Sequence, residues 1–254
     1  MELNVVYNED CLEGMNRIED KSVDMILCDL PYGTTACKWD TIIPFEPLWK
    51  QYNRIIKDNG AIVLTGSQPF TSLLGASNIK MLRYSWVWKK TSATGHLNAK
   101  RMPMKNHEEI LVFYQKQPTY NPQNVIDFKK VVKRGNNGDC YGDSGKINFQ
   151  EKTNYPRSIL EFKSVGKTIH PTQKPVDLFE YLIKTYTNEG DIVLDNCMGS
   201  GTTAIACMNT NRNYIGFELD KGYYDIILER IKNHKPDVKS DVIQESKQGL
   251  ETWF

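Results

Sequence analysis

No stretch of this 254-residue chain approaches the ~18 consecutive apolar residues of a membrane-spanning helix. The opening Met1-Glu2-Leu3-Asn4 holds no basic block followed by an apolar one, so no export signal is expected. The six cysteines form no Cys-x-x-Cys pair, which fits a reducing cytoplasm and argues against zinc. The string Gly-x-x-x-x-Gly-Lys is absent, and with it a phosphate-cradling loop of that type. No segment repeats. What remains is a cytoplasmic globular chain, sized for one large domain or one domain carrying an insertion.

Net charge is also nearly absent: 32 Lys and Arg against 31 Asp and Glu give +1. The balance conceals an uneven distribution. From Lys80 to His107 there are seven basic residues and no acid. Lys129, Lys130, Lys133 and Arg134 form a second basic cluster. Tyr84, Trp86, Trp88, Tyr114, Tyr120 and Phe128 lie within or near these stretches. Cations neutralise phosphates and aromatic rings stack on exposed bases, which suits nucleic acid. A solvated basic surface is the competing reading.

β-like and helical patterns alternate, which predicts an α/β fold with a mostly parallel sheet. Strands are expected over residues 23–29, 61–64, 85–88, 110–114, 192–195 and 214–218. Helices are expected from Phe45 to an end at Asn59-Gly60, and over 176–186, 202–209 and 223–231. Trp86 and Trp88, two apart in a strand, share a face and read as packing residues. Residues 115–168 are rich in Asn, Gly, Lys and Pro, with an evident loop at Gly135-Asn136-Asn137-Gly138-Asp139. A stretch this long without periodicity reads as an insertion that touches the substrate.

Two predicted strands end at an acid followed by a tight loop. One gives Asp29-Leu30-Pro31-Tyr32, the other Asp195-Asn196-Cys197-Met198-Gly199-Ser200-Gly201-Thr202-Thr203. Ligands of open α/β sheets bind just beyond such strand ends. In the second string Gly199 and Gly201 allow sharp turning and close backbone approach, and Thr202 or Thr203 can cap the helix that follows. Glu218, at the end of the next strand, lies where an acid grips a ribose diol. In the first, Asp29 and the Leu30 carbonyl offer two acceptors to an exocyclic amino group. Tyr32 can stack on a base, and Pro31 stiffens the turn. Such a site acts through positioning and electrostatics.

Together, and in this order, the strings resemble the β-class S-adenosylmethionine-dependent DNA amino-methyltransferases. In that family an Asp/Asn/Ser-Pro-Pro-Tyr motif comes first and the cofactor loop last. His170-Pro171-Thr172-Gln173-Lys174-Pro175, Asn8-Glu9-Asp10-Cys11-Leu12 and Lys105-Asn106-His107-Glu108-Glu109-Ile110 are similar to further family segments. The resemblance implies a Rossmann-like methyltransferase fold, mostly parallel with helices on both faces. It is circularly ordered, so that the catalytic motif precedes the cofactor loop. Residues 1–254 would form a single catalytic domain, with 115–168 as an inserted DNA target-recognition region. By the same resemblance Asp29, Leu30, Pro31 and Tyr32 are catalytic and hold a flipped base. Asp10 and Cys11 contact the cofactor adenine, and Gly199, Gly201, Thr202 and Thr203 its methionine end. Asp29 and Asp195 face the cofactor, Glu218 binds its ribose, and Lys174 helps close the pocket. No metal is required, DNA is the partner, and a homodimer is an option.

The acid at position 29 points, within the family, to adenine N6. Cytosine N4 methylation, a DNA-binding regulator with a vestigial pocket, and a dinucleotide oxidoreductase are the alternatives. The chain departs from the family at Leu30, where proline is usual and fixes φ.

Overall fold

Successive side chains of a strand face opposite sides of a sheet, and the central strands here are apolar on both sides. On β2 (Val23–Cys28), Met25 and Leu27 join one buried cluster, while Val23, Ile26 and Cys28 join the other. On β3 (Ile56–Gly66), Ala61 and Val63 alternate in the same way with Ile62 and Leu64. A sheet apolar on both faces must be covered on both. In the computed structural model, which describes residues 1–35, 37, 40–133, 147–166 and 173–235, it is.

One face carries α1 (Cys11–Met15), α2 (Phe45–Ile55) and α3 (Phe70–Ser77). The other carries α4 (Val176–Tyr186), α5 (Thr202–Asn209) and α6 (Lys221–Asn233). The remaining strands are β1 (Val5–Tyr7), β4 (Leu82–Thr94), β5 (Lys105–Phe113), β8 (Ile159–Phe162), β9 (Ile192–Asp195) and β10 (Asn213–Phe217). The eight-stranded sheet has the order β1-β10-β9-β2-β3-β5-β4-β8. Among its described strands only β5 runs antiparallel to its neighbours. The mostly parallel α/β sheet is therefore as expected.

After β2 the chain turns outward through α2 to β3. After β9 it turns the other way, through α5 to β10. β2 and β9 are direct neighbours, with Met25 opposite Val193 and Ile26 opposite Leu194. The sheet thus has its topological switch point between the two strands that end in Asp29 and Asp195, where the helices diverge and leave a crevice.

Some expected boundaries move. Asn59-Gly60 does not end α2; the chain passes straight from α2 into β3 at Ile56. A Cβ on Gly60 would lie 2.8 Å from the Asp24 carbonyl oxygen, so this glycine serves a close strand approach. The β2–β3 register shifts beside it, between Val23 and Met25. Residues 115–168 are not wholly irregular. β6 (Ile126–Lys133) and β7 (Ile147–Thr153) form a separate antiparallel pair, and β8 pairs in parallel with β4 at the edge of the main sheet. The 135–139 loop and Arg134 lie outside the described residues. β1, α1 and α3 carried too little periodicity to be foreseen. Trp86 and Trp88 are buried in one cluster, as their shared face required. No described helix is long and apolar enough to cross a membrane.

Candidate functional site

A cavity of about 380 Å³ opens at the switch point. It is lined by Asp10, Cys11, Asp29, Leu30, Pro31, Tyr32, Lys174, Asp195, Gly199, Thr202, Thr203 and Glu218. Every residue singled out from sequence is there except Gly201. That glycine acts through conformation: its φ is +79°, and a Cβ would lie 3.1 Å from the Ile227 side chain. It is also the residue that precedes α5, which has no side-chain cap. The Thr202 and Thr203 hydroxyls do not cap that helix as expected. Lying in the first turn, they point back toward the strand end. Thr202 donates to the Lys174 carbonyl (3.2 Å), and Thr203 to the Asp195 carboxylate.

Asp29 is held on all sides. Its Oδ1 accepts from the Tyr32 hydroxyl at 2.6 Å and from the Thr65 hydroxyl. Its Oδ2 accepts from Lys174 Nζ at 2.5 Å. Lys174 is only 5% exposed. It also pairs with Glu108 Oε2 at 3.4 Å, and Glu108 pairs in turn with Lys90. Burial pulls the Lys174 ammonium down, but the Asp29 and Glu108 carboxylates outweigh it and leave it above its ordinary value. Burial, reinforced by the Asp29 and Glu108 charges, pushes the Tyr32 phenol well above its usual range, so it stays a neutral donor. Its ring stacks on Phe70 (centroids 5.0 Å apart), which covers one face.

Lys174, expected to help close the cofactor pocket, lines the cavity with its ammonium on the carboxylate of Asp29. Thr65, Glu108 and Asp40 were missed. Asp40, 8% exposed, accepts from the backbone N–H groups of Gly33 (2.8 Å), Thr34 (2.9 Å) and Thr35 (2.7 Å). It folds the loop after Tyr32 over the cavity. An Asp a few residues past a Gly-Thr-Thr turn was the available signal. Of the segment 170–175, His170, Pro171 and Thr172 lie outside the described residues.

Leu30 is 3% exposed and packs in the apolar cluster beneath α1 and α2. In place of a stiffened backbone, this chain anchors the turn by a buried side chain. Leu30→Ala should cost about 2–4 kcal/mol and lower Tm by roughly 5–12 °C. Thermal unfolding of the variant checks this.

On the second strand end, the Asp195 carboxyl is pushed up to about 6 by burial, against hydrogen bonds from Thr203 and the Cys197 N–H. Both of its oxygens are occupied by the protein, so it braces the loop from within. Asn196 spans the same floor. It accepts from the Tyr52 hydroxyl (2.5 Å) and donates toward Cys11 Sγ (3.6 Å) and Cys197 Sγ (3.5 Å). Cys11 is buried and Cys197 partly buried. Asp10 begins α1, accepting from the Leu12 N–H at 2.8 Å.

Glu218, 9% exposed, accepts from the N–H of Gly199 (2.7 Å) and of Asp220 (2.8 Å), one on each oxygen. One lone-pair direction per oxygen remains for a diol. Burial pushes its carboxyl up to about 7. An acid at the cavity wall beside a glycine turn, with one acceptor direction open on each oxygen, fits a nucleoside with vicinal hydroxyls.

The sequence matches the profile of the family described as DNA methylase over residues 23–229. The Type II methyltransferase M1.MboII of Moraxella bovis is 29% identical over 260 residues, covering 88% of this chain and 94% of that protein. M.HpaI of Haemophilus parainfluenzae, also a Type II methyltransferase, is 28% identical over 237 residues, covering 87% of this chain and 72% of its own. The crystal structure of the M1.HpyAVI–SAM complex superposes with a TM-score of 0.61 at 26% identity, over 89% of this chain and 98% of that one. The PvuII cytosine-N4-specific DNA methyltransferase shares the fold, with a TM-score of 0.66 at 15% identity over 92% of this chain and 87% of its own. The match over most of the chain, with a switch-point cavity between two acidic strand ends, places this protein in the β-class family of S-adenosylmethionine-dependent DNA methyltransferases.

Proposed function

We propose that this methyltransferase acts on the N6 amino group of adenine, taken out of the DNA stack into the cavity at Asp29. The observation that carries the reading is the carboxylate of Asp29, oriented by Tyr32, Thr65 and Lys174 in the same cavity as the Glu218 wall. S-adenosylmethionine supplies, when bound, an electrophilic methyl group on a sulfonium. Glu218 holds its ribose, Asp10 and Cys11 border its adenine, and Gly199, Thr202 and Thr203 border its methionine end. Asp195 positions that border from below.

Asp29 and the Leu30 carbonyl accept the two amino hydrogens of the target base. Accepting both draws the nitrogen toward a tetrahedral shape and localises its lone pair. Tyr32, its ring stacked on Phe70 and with Lys174 Nζ 5.7 Å from its centroid, borders the target base. Tyr32, Thr65 and Lys174 hold the Asp29 carboxylate in place before the base arrives, so it acts without reorganisation. No covalent bond between enzyme and base is needed. Residues 115–168, with Lys129 and Lys130 on β6, supply target recognition within the single catalytic domain.

Tritiated cofactor, genomic DNA and analysis of the digested nucleosides test this. Label in N6-methyladenine is expected; label in N4-methylcytosine would transfer the proposal to cytosine, and no label would remove it.

Glu218 adds a pH dependence. A diol is held by the ionised carboxylate, which dominates only above about pH 7. Below that the proton must leave before binding, so cofactor affinity should rise about tenfold from pH 6 to 8. Glu218→Gln should bind more weakly and without that slope. Calorimetric titration at the two pH values reads both.

A further inference from the structure

The strands β4 and β5 do not stop where the sheet does. Gly66, the last residue of β3, pairs with Glu109, yet the β4–β5 hairpin continues through Lys89–His107 to Thr94–Lys105. Four residues of further strand carry it roughly 13 Å past the end of β3. This is the edge on which the cavity opens, since Thr65, one residue before Gly66, bonds Asp29. Lys105 Nζ ties the hairpin base to Ser67 Oγ at 2.7 Å.

At the tip, Gly95 (φ 93°) starts a 3-10 turn, His96–Asn98. Leu97 at its centre is fully exposed (101%), and Met102 is 59% exposed. Both lie in the connection between β4 and β5. Here they are set beside Lys100 and Arg101, in a stretch of chain with no acid. A basic collar around an apolar point suits a polyanion whose interior is apolar: the stacked bases of a duplex.

We infer that Leu97 is a wedge, which enters the base stack as the target base leaves it and holds the gap open. Met102 widens it, and Lys100 and Arg101 hold the flanking phosphates. The inference rests on the proposed DNA methylation. Unstacking a paired base is the main cost of extrusion, and it is smallest when the base has no partner.

The test starts from a sequence found methylated in DNA of cells expressing the protein, made as a short duplex. A second duplex has an abasic site opposite the target. Single-turnover methylation is measured with the parent, Leu97→Ala, Leu97→Met and Arg101→Ala. Leu97 touches nothing that holds the fold, so its variants remain folded. Leu97→Ala is expected to slow methylation of the paired duplex about 10- to 100-fold and that of the abasic duplex less than about threefold. Leu97→Met should recover most of the rate. Arg101→Ala should weaken binding of both duplexes alike and reduce its salt dependence. Equal losses on both duplexes, or none on the paired one, would overturn the wedge while leaving DNA methylation intact. A parent that methylates neither duplex removes the function first and the wedge with it.

Discussion

Asp29→Ala should lower methyl transfer by about 10³-fold, at the upper end of what one oriented polar group contributes at a reacting centre. Cofactor affinity should stay within about threefold, because Glu218 and the Gly199 turn are untouched. The size of the effect follows from the density of contacts around one carboxylate. Tyr32, Thr65 and Lys174 all aim at Asp29, so its removal scatters three neighbours as well as losing an acceptor. The buried Lys174 then loses its shorter carboxylate contact, and breaking a buried pair costs about 3–5 kcal/mol. Thermal unfolding separates that loss from chemistry, and Asp29→Asn, which keeps one acceptor oxygen, should be folded and nearly as inactive. Turnover by Asp29→Ala at the parental rate would remove Asp29 from the reaction.

Lys174→Met should cut turnover about 10²-fold and leave cofactor affinity nearly unchanged. In the parent the ammonium lies between the Asp29 and Glu108 carboxylates. Without it the two carboxylates lose the cation they share, and Asp29 loses the donor that fixes Oδ2. Adding Glu108→Gln removes the repulsion and should restore stability without restoring the rate. The opposite pattern, unchanged turnover at saturation with cofactor binding weakened tenfold or more, would return Lys174 to the cofactor.

These two variants also divide what was readable in the chain from what was not. Asp29 was legible because a strand of apolar residues ends there and Pro31 and Tyr32 follow. Gly199, Gly201 and Glu218 were legible because a turn and the strand after it lie at a fixed spacing. The helices α4 and α5 kept their predicted bounds, since their apolar periods are regular. Asn59-Gly60 misled because a glycine needed for close approach of β2 looks, in sequence, like a helix stop.

The sequence by itself determined the alternating elements, the two acidic strand ends and the residues of each loop, because these depend on local periodicity and on turn chemistry. Only the tertiary structure decided which strands are neighbours. That order put β2 against β9, and so opened one cavity between residues 29 and 195. It also laid β3 beside β2 and β5 beside β3, bringing Thr65 and Glu108 to the site of Asp29. Such partners lie far apart along the chain, and no local pattern marks them. They are selected by the burial of the whole sheet on both faces, which no single segment encodes.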